Sequence, residues 1–179
     1  MSQIYYPLKG VVDERTKKLF DKAYDKIVSP EDRVISFIES RGGVTDVASY
    51  IVEKILLLSQ SHLIPFIAYG GIVFSAASFI YAVHNKRYAF KDSSFLIHRN
   101  IPPKGKENDP IYRAYDFQMW KIMSSCMGNK ISPDDLDIFA SKNKIISAQE
   151  AQEIGLVELI FNDTHRNYKR YLQKEGLVL

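Results

Sequence analysis

Apolar residues recur along the first half of the chain in two alternating rhythms. Residues 4–8 are a short apolar run ended by Lys9 and Gly10, and they read as a strand. Leu19, Phe20, Ala23 and Ile27 follow at spacings of three and four, which predicts a helix over residues 13–27 with one buried face. Ser29 and Pro30 stop it. Val34, Ile35, Phe37 and Ile38 come almost without interruption, the pattern of a strand buried on both faces, and residues 39–43 (ESRGG) are the turn after it. Val47, Ile51, Ile55 and Leu58 then mark one side of a helix over 47–59, with Asp46 as its N-cap.

Residues 63–83 (LIPFIAYGGIVFSAASFIYAV) carry no charge and are the most apolar stretch. Their length alone permits a membrane span. Pro65 and the pair Gly70 and Gly71 interrupt a straight helix, however, and no second hydrophobic span appears. The stretch therefore divides into a buried strand over 66–69, a turn at the two glycines, and a buried helix from Ser75 to about residue 84. Ala76, Ala77 and Ser78 allow that helix to pack closely. The order β-α-β-α-β-α predicts a parallel sheet with helices against it.

In the second half, residues 88–90 and 94–98 are two short strand candidates, and residues 100–110 are a polar loop. Residues 111–127 read as a long helix with Tyr112, Tyr115, Met119, Ile122 and Met123 on its apolar side and Trp120 nearby. Ser132 with Pro133 starts another helix. Ser147 and Glu150 form a capping box for a helix over 147–154 that ends at Gly155. Residues 156–160 are a last strand. Residues 1–162 are expected to form one domain, and 163–179 a charged tail or a peripheral helix.

Composition narrows the function classes. The 46 per cent hydrophobic content fits a packed fold, and a formal charge of +3 with no basic stripe gives no sign of nucleic-acid binding. The single Cys126 leaves no internal disulfide and no cysteine-rich metal site, and fits a reducing compartment. The start MSQIYYPLKG lacks the features of a signal peptide, so a cytoplasmic protein is expected. No phosphate-binding or metal-ligand motif appears, so no cofactor and no metal are expected. What remains is a constellation: Gly42 and Gly43 after a buried strand, Ser75 at a strand-to-helix elbow, and His98 at the end of a later strand. Nucleophile, base and nearby backbone N–H donors are what acyl transfer requires.

The segment FIESRGGVTDVASYIV resembles the strand-turn-helix of the Clp protease proteolytic subunit family. KRYAFKDSSFLIHR resembles that family's approach to its catalytic histidine, and IISAQEAQEIGLVELI its C-terminal helix and strand. AYGGIVFSAASF is also similar to the nucleophile segment of signal peptide peptidase A. The likeness spans roughly residues 4–162 and implies an α/β, crotonase-like spiral of β-β-α units, with a helical handle within residues 111–142. It further implies a serine peptidase acting on peptides or unfolded proteins, with Ser75 as nucleophile, His98 as general base, and Gly43 and Ala76 as oxyanion donors. Asn143 falls where the family carries the triad aspartate, and Arg41 where it has a proline. Asp134, Asp135 or Asp137 is a candidate substitute acid. Placing Gly71 four residues ahead of the serine selects Ser75; an ungapped match to the histidine segment puts Val73 there instead, which would leave the chain catalytically dead. A homo-oligomeric ring is implied, meeting through the apolar side of residues 111–127, with a Clp-type ATPase as the partner in question because the family's long N-terminal segment is absent. The alternatives are an inactive Clp-like scaffold or regulator and, at lower weight, an acyl-CoA hydratase or isomerase on the same fold.

Overall fold

The computed structural model describes residues 2–61, 64–106 and 109–176. His62, Leu63 at the head of the apolar stretch, two residues of the polar loop, Met1 and the last three residues of the tail lie outside these. The chain opens with three strand–helix pairs: β1 (Gln3–Val12) and α1 (Glu14–Tyr24), β2 (Arg33–Gly43) and α2 (Thr45–Ser61), β3 (Phe66–Phe74) and α3 (Ala76–Ala82). There follow β4 (Lys86–Leu96), α4 (Pro110–Cys126), α5 (Pro133–Ser141), β5 (Ile145–Ser147), α6 (Ala148–Glu153), β6 (Leu159–Phe161), a short 3₁₀ turn (His165–Asn167) and α7 (Tyr168–Lys174). Strands β1 to β4 lie side by side and parallel. The far edge of β4 is shared: Tyr88 to Phe90 pair in parallel with β6, and Ser94 to Leu96 pair antiparallel with β5.

The strands outrun the predicted ones because ladder partners, not local turn residues, decide where they stop. Gly10, Gly42, Gly43, Gly70 and Gly71 all lie inside strands, which corrects their reading as turns. What the expected turns mark instead is a line of register shifts across the sheet, at Gly10/Val11, Ile38/Ser40 and Gly70/Ile72. At the last of these, β3 pairs with Ala89 and then with Ser94, so β4 makes a four-residue excursion. The two short strands expected around it are one bulged strand. Each long strand is thus two straight stretches followed by a helix, which is the β-β-α unit in physical form. Gly70 is fixed by packing, since a Cβ there would lie 2.9 Å from the Tyr81 ring.

Alternate residues of the strands serve two cores, as the pleat requires. Val34, Ile38, Phe66 and Ala68 face a large cluster shared with α1 to α6, and Ile35, Phe37, Ile67 and Tyr69 face a smaller aromatic one. Leu172, Tyr168 and Tyr171 cover that second face, with the Tyr168 and Phe37 rings stacked at 3.7 Å. The charged tail is therefore a packed peripheral helix over the described residues. Helix starts follow their caps: Asp13 and Ser147 form capping boxes, and Ser132 and Asp109 accept from the first turns of α5 and α4. Asp46 sits in the first turn of α2, one residue inside its start at Thr45. The apolar side of α4 corrects another expectation. Met119, Trp120 and Met123 are buried in the chain's own core, Trp120 stacked on Phe79 at 5.3 Å, so they are not an outward contact surface. Ile111 and Phe117 are the exposed apolar residues of that helix.

Candidate active site

Strand β3 ends at Phe74 and α3 begins at Ala76, so the whole reversal falls on Ser75. Its backbone sits at φ 58°, ψ −128°, a region that costs a non-glycine residue about 1–3 kcal/mol. The surroundings hold it there. Ser75 N–H donates to the Leu96 carbonyl at 2.7 Å, and the Ser78 hydroxyl bonds to both the Val73 and the Leu96 carbonyls at 2.9 Å. The Ser75 hydroxyl makes no capping bond to α3. A strained strand-to-helix elbow of this kind can present a serine hydroxyl for nucleophilic attack. The bend lies at the serine and not after Gly71. Val73, the other nucleophile candidate, is fully buried in the core.

Gly42 backs the elbow. A Cβ there would lie 2.5 Å from Ser75 Cβ and 3.0 Å from its hydroxyl, and φ is +92°. At Gly43 a Cβ would strike the Val12 carbonyl at 2.3 Å. Both positions therefore require glycine, Gly42 for the serine and Gly43 for the approach to β1.

Gly43, Ser75, Ala76 and His98 line one cleft of about 120 Å³, with Thr45 and Phe79. Ala76 is the first residue of α3, and its N–H has no carbonyl one turn back to bond. The His98 Nδ1 lies 2.6 Å from the Arg99 carbonyl. A carbonyl only accepts, so Nδ1 carries a proton, and in the neutral ring the lone pair is then on Nε2. Among the described residues no hydrogen bond joins the Ser75 hydroxyl to the His98 ring; such bonds often tighten only when substrate binds.

Asn143 is placed elsewhere. It lies in the turn between α5 and β5, exposed, at φ 48°, with its N–H donating to the Ala140 carbonyl. That is a left-handed helix end, a position asparagine takes readily. It is not among the residues lining the cleft. Of the substitute acids, Asp137 is bonded to Arg99, a residue that lines the cleft. It takes a bidentate pair from Arg99 at 2.8 and 2.6 Å and the Trp120 indole N–H at 3.3 Å, and the Arg99 bond holds its carboxyl below the usual range.

Three further residues escaped the sequence reading. Asp116 on α4, 5 % exposed, accepts from Asn100 N–H at 3.1 Å and from its side-chain amide at 2.6 Å. Asn100 Oδ1 accepts from the Thr45 hydroxyl at 2.7 Å. Burial pushes the Asp116 carboxyl above the usual range. The available signal was an acid on the apolar side of a predicted helix, four residues after Tyr112 and three before Met119. Beside the cleft, and sharing Thr45, Asn100 and Ile101 with it, lies a groove of about 370 Å³ walled by Val44, Ile101, Pro103 and Ile111.

Among the described residues no helix is long and apolar enough to cross a membrane, and no group of three or more metal-binding side chains occurs. No curated protein matches the chain. In fold it is similar to ClpP1 from Listeria monocytogenes at TM-score 0.73 and 20% identity, covering 89% of this chain and 91% of that one. An asparagine-to-aspartate mutant of the same protein gives TM-score 0.75 at 20% identity, over 89% and 92%. The Clp protease family model matches residues 24–164. With a mixed α/β, crotonase-like fold and more than half of its length in that match, the chain belongs to the Clp protease family.

Proposed function

We propose that this chain is a serine peptidase of the Clp proteolytic-subunit type, with Ser75 as nucleophile and His98 as general base. The observation that carries the reading is the Ser75 elbow, strained and lining the same cleft as an imidazole whose Nδ1 donates to a main-chain carbonyl. Ser75 Oγ attacks the peptide carbonyl carbon while its proton passes to His98 Nε2. The carbonyl oxygen takes up the negative charge beside the N–H groups of Gly43 and Ala76. Collapse breaks the C–N bond, and His98 returns the proton to the leaving amine. Water then attacks the acyl-serine, its proton travelling through His98 back to Ser75. Nothing in this sequence calls for a cofactor. The apolar groove beside the cleft suits a side chain of a peptide or unfolded protein.

Ring assembly, with α4 and α5 as the handle and a Clp-type ATPase as partner, belongs to the same proposal, as does a cytoplasmic setting. Exposed Ile111, Phe117 and Ile138 support the handle assignment. A fluorophosphonate probe should label the assembled wild-type protein and not Ser75→Ala. The absence of Asn143 from the cleft lining favours a second reading, a scaffold or regulator without turnover. Equal residual peptidase activity of wild type and Ser75→Ala would select it. Thermal stabilisation by a CoA thioester would point to hydratase chemistry instead.

A further inference from the structure

Arg99 C=O and Asn100 N–H are the two ends of one peptide group. The carbonyl end accepts the His98 Nδ1 proton at 2.6 Å, and the N–H end donates to Asp116 at 3.1 and 3.3 Å. Reading from α4 to the cleft, a buried carboxylate, a peptide and an imidazole stand in one hydrogen-bonded line. A carboxylate accepting from an amide polarises it, drawing electron density onto its carbonyl, and the bond accepted there strengthens in turn. The peptide cannot rotate away. The Asn100 side chain is tied to Asp116 at 2.6 Å and to Thr45 at 2.7 Å, and the Arg99 side chain is tied to Asp137.

We infer that Asp116 is a positioning residue for His98, doing through the Arg99–Asn100 peptide what the family's triad aspartate does by direct contact. Asp116 fixes the imidazole with Nδ1 protonated and Nε2 facing the cleft, and it places negative charge where a protonated imidazole is stabilised. The same carboxylate, through Asn100 and Thr45, registers the loop after Gly43 against the base. This rests on the peptidase reading for its purpose but not for its geometry. Asn143 is thereby free to be an ordinary helix end.

The test uses the assembled protein labelled with ¹⁵N-histidine. Wild type should show a downfield Nδ1 proton resonance from His98. In Asp116→Asn that resonance moves upfield, and the rate of fluorophosphonate labelling at Ser75 falls about tenfold or more, as misplaced catalytic groups do. Asn100→Pro deletes the single N–H in the line and should reproduce both effects, so the question survives if Asp116→Asn does not fold. Asn100→Gly keeps the peptide N–H but loses the side-chain ties to Asp116 and Thr45, and should move the resonance less than Asn100→Pro does. An unchanged Nδ1 proton in Asp116→Asn or Asn100→Pro overturns the inference. So does an Asn143→Ala variant that moves it. If wild type is not labelled at all, the peptidase reading fails, and the resonance comparison still decides the relay.

Discussion

His84 and His98 each donate an Nδ1 proton to a main-chain carbonyl, His84 to Ile80 at 2.8 Å and His98 to Arg99 at 2.6 Å. They differ in what the second nitrogen meets. His84 Nε2 accepts from the Ser36 hydroxyl at 3.0 Å in a site that is 1 % exposed, whereas among the described residues His98 Nε2 has no hydrogen-bond partner and the ring lines the cleft. In the first ring both nitrogens are satisfied, burial disfavours the charged form, and the pKa is pushed down to about 4. Such a histidine is a piece of core. The second ring is held by one edge and open at the other, as a proton acceptor has to be. An imidazole's role here follows from the unfilled half of its hydrogen bonding.

The largest expected effect separates the two outright. His98→Gln should cut Ser75 labelling by roughly 10²–10⁴, the usual worth of a general base, with little change in the urea midpoint. His84→Gln should do the reverse, keeping labelling and losing about 1–3 kcal/mol of stability as the buried Ser36 hydroxyl loses its partner. Comparable labelling loss in both would erase the distinction.

Acid sharpens it next. The unfolded chain protonates His84 near its ordinary 6.5, while the folded chain resists until about 4. Between those values the unfolded state binds more protons, so stability is full above 6.5 and is lost as pH falls toward 4. The loss is up to about 3 kcal/mol. Thermal unfolding across that window should show the slope in His98→Gln and a flattened one in His84→Gln.

Smaller effects concern Asn143 and Asp137, the residues considered as partners for His98. Asn143→Ala should cost about 1 kcal/mol for forcing alanine into a left-handed backbone, and should change labelling by less than about threefold. A loss approaching that of His98→Gln would restore Asn143 to the triad. Asp137→Asn, which weakens a half-exposed pair with Arg99, should cost below about 1 kcal/mol in urea unfolding.

Much of this was legible in the residues. Helices announce themselves through caps, as Ser147 with Glu150 and Ser132 with Pro133 do, and the Ser75 elbow stands out as a serine between a strand pattern and a helix pattern. Glycines misled, because a glycine required by a neighbour's proximity looks the same in sequence as one required by a turn. Gly42 is there for Ser75, and Gly70 for the Tyr81 ring. The partner of Asp116, unlike its place on the apolar side of the helix, was illegible for a related reason. It is a peptide group sixteen residues earlier, and main-chain partners leave no mark on composition or spacing. The tail read as charged because its apolar residues that turn inward, Tyr168, Tyr171 and Leu172, are scattered among charged ones.

Strand β4 takes β3 on one side and both β6 and β5 on the other, and the β5 pairing at residues 94–96 lies immediately before His98. During synthesis on the ribosome, Ser75 and His98 emerge well before residue 147. His98 therefore lacks its bracing strand until most of the polypeptide has been made. On the proposed peptidase reading, a nascent chain would in this way be kept from cutting its neighbours by the order in which its own sheet is completed.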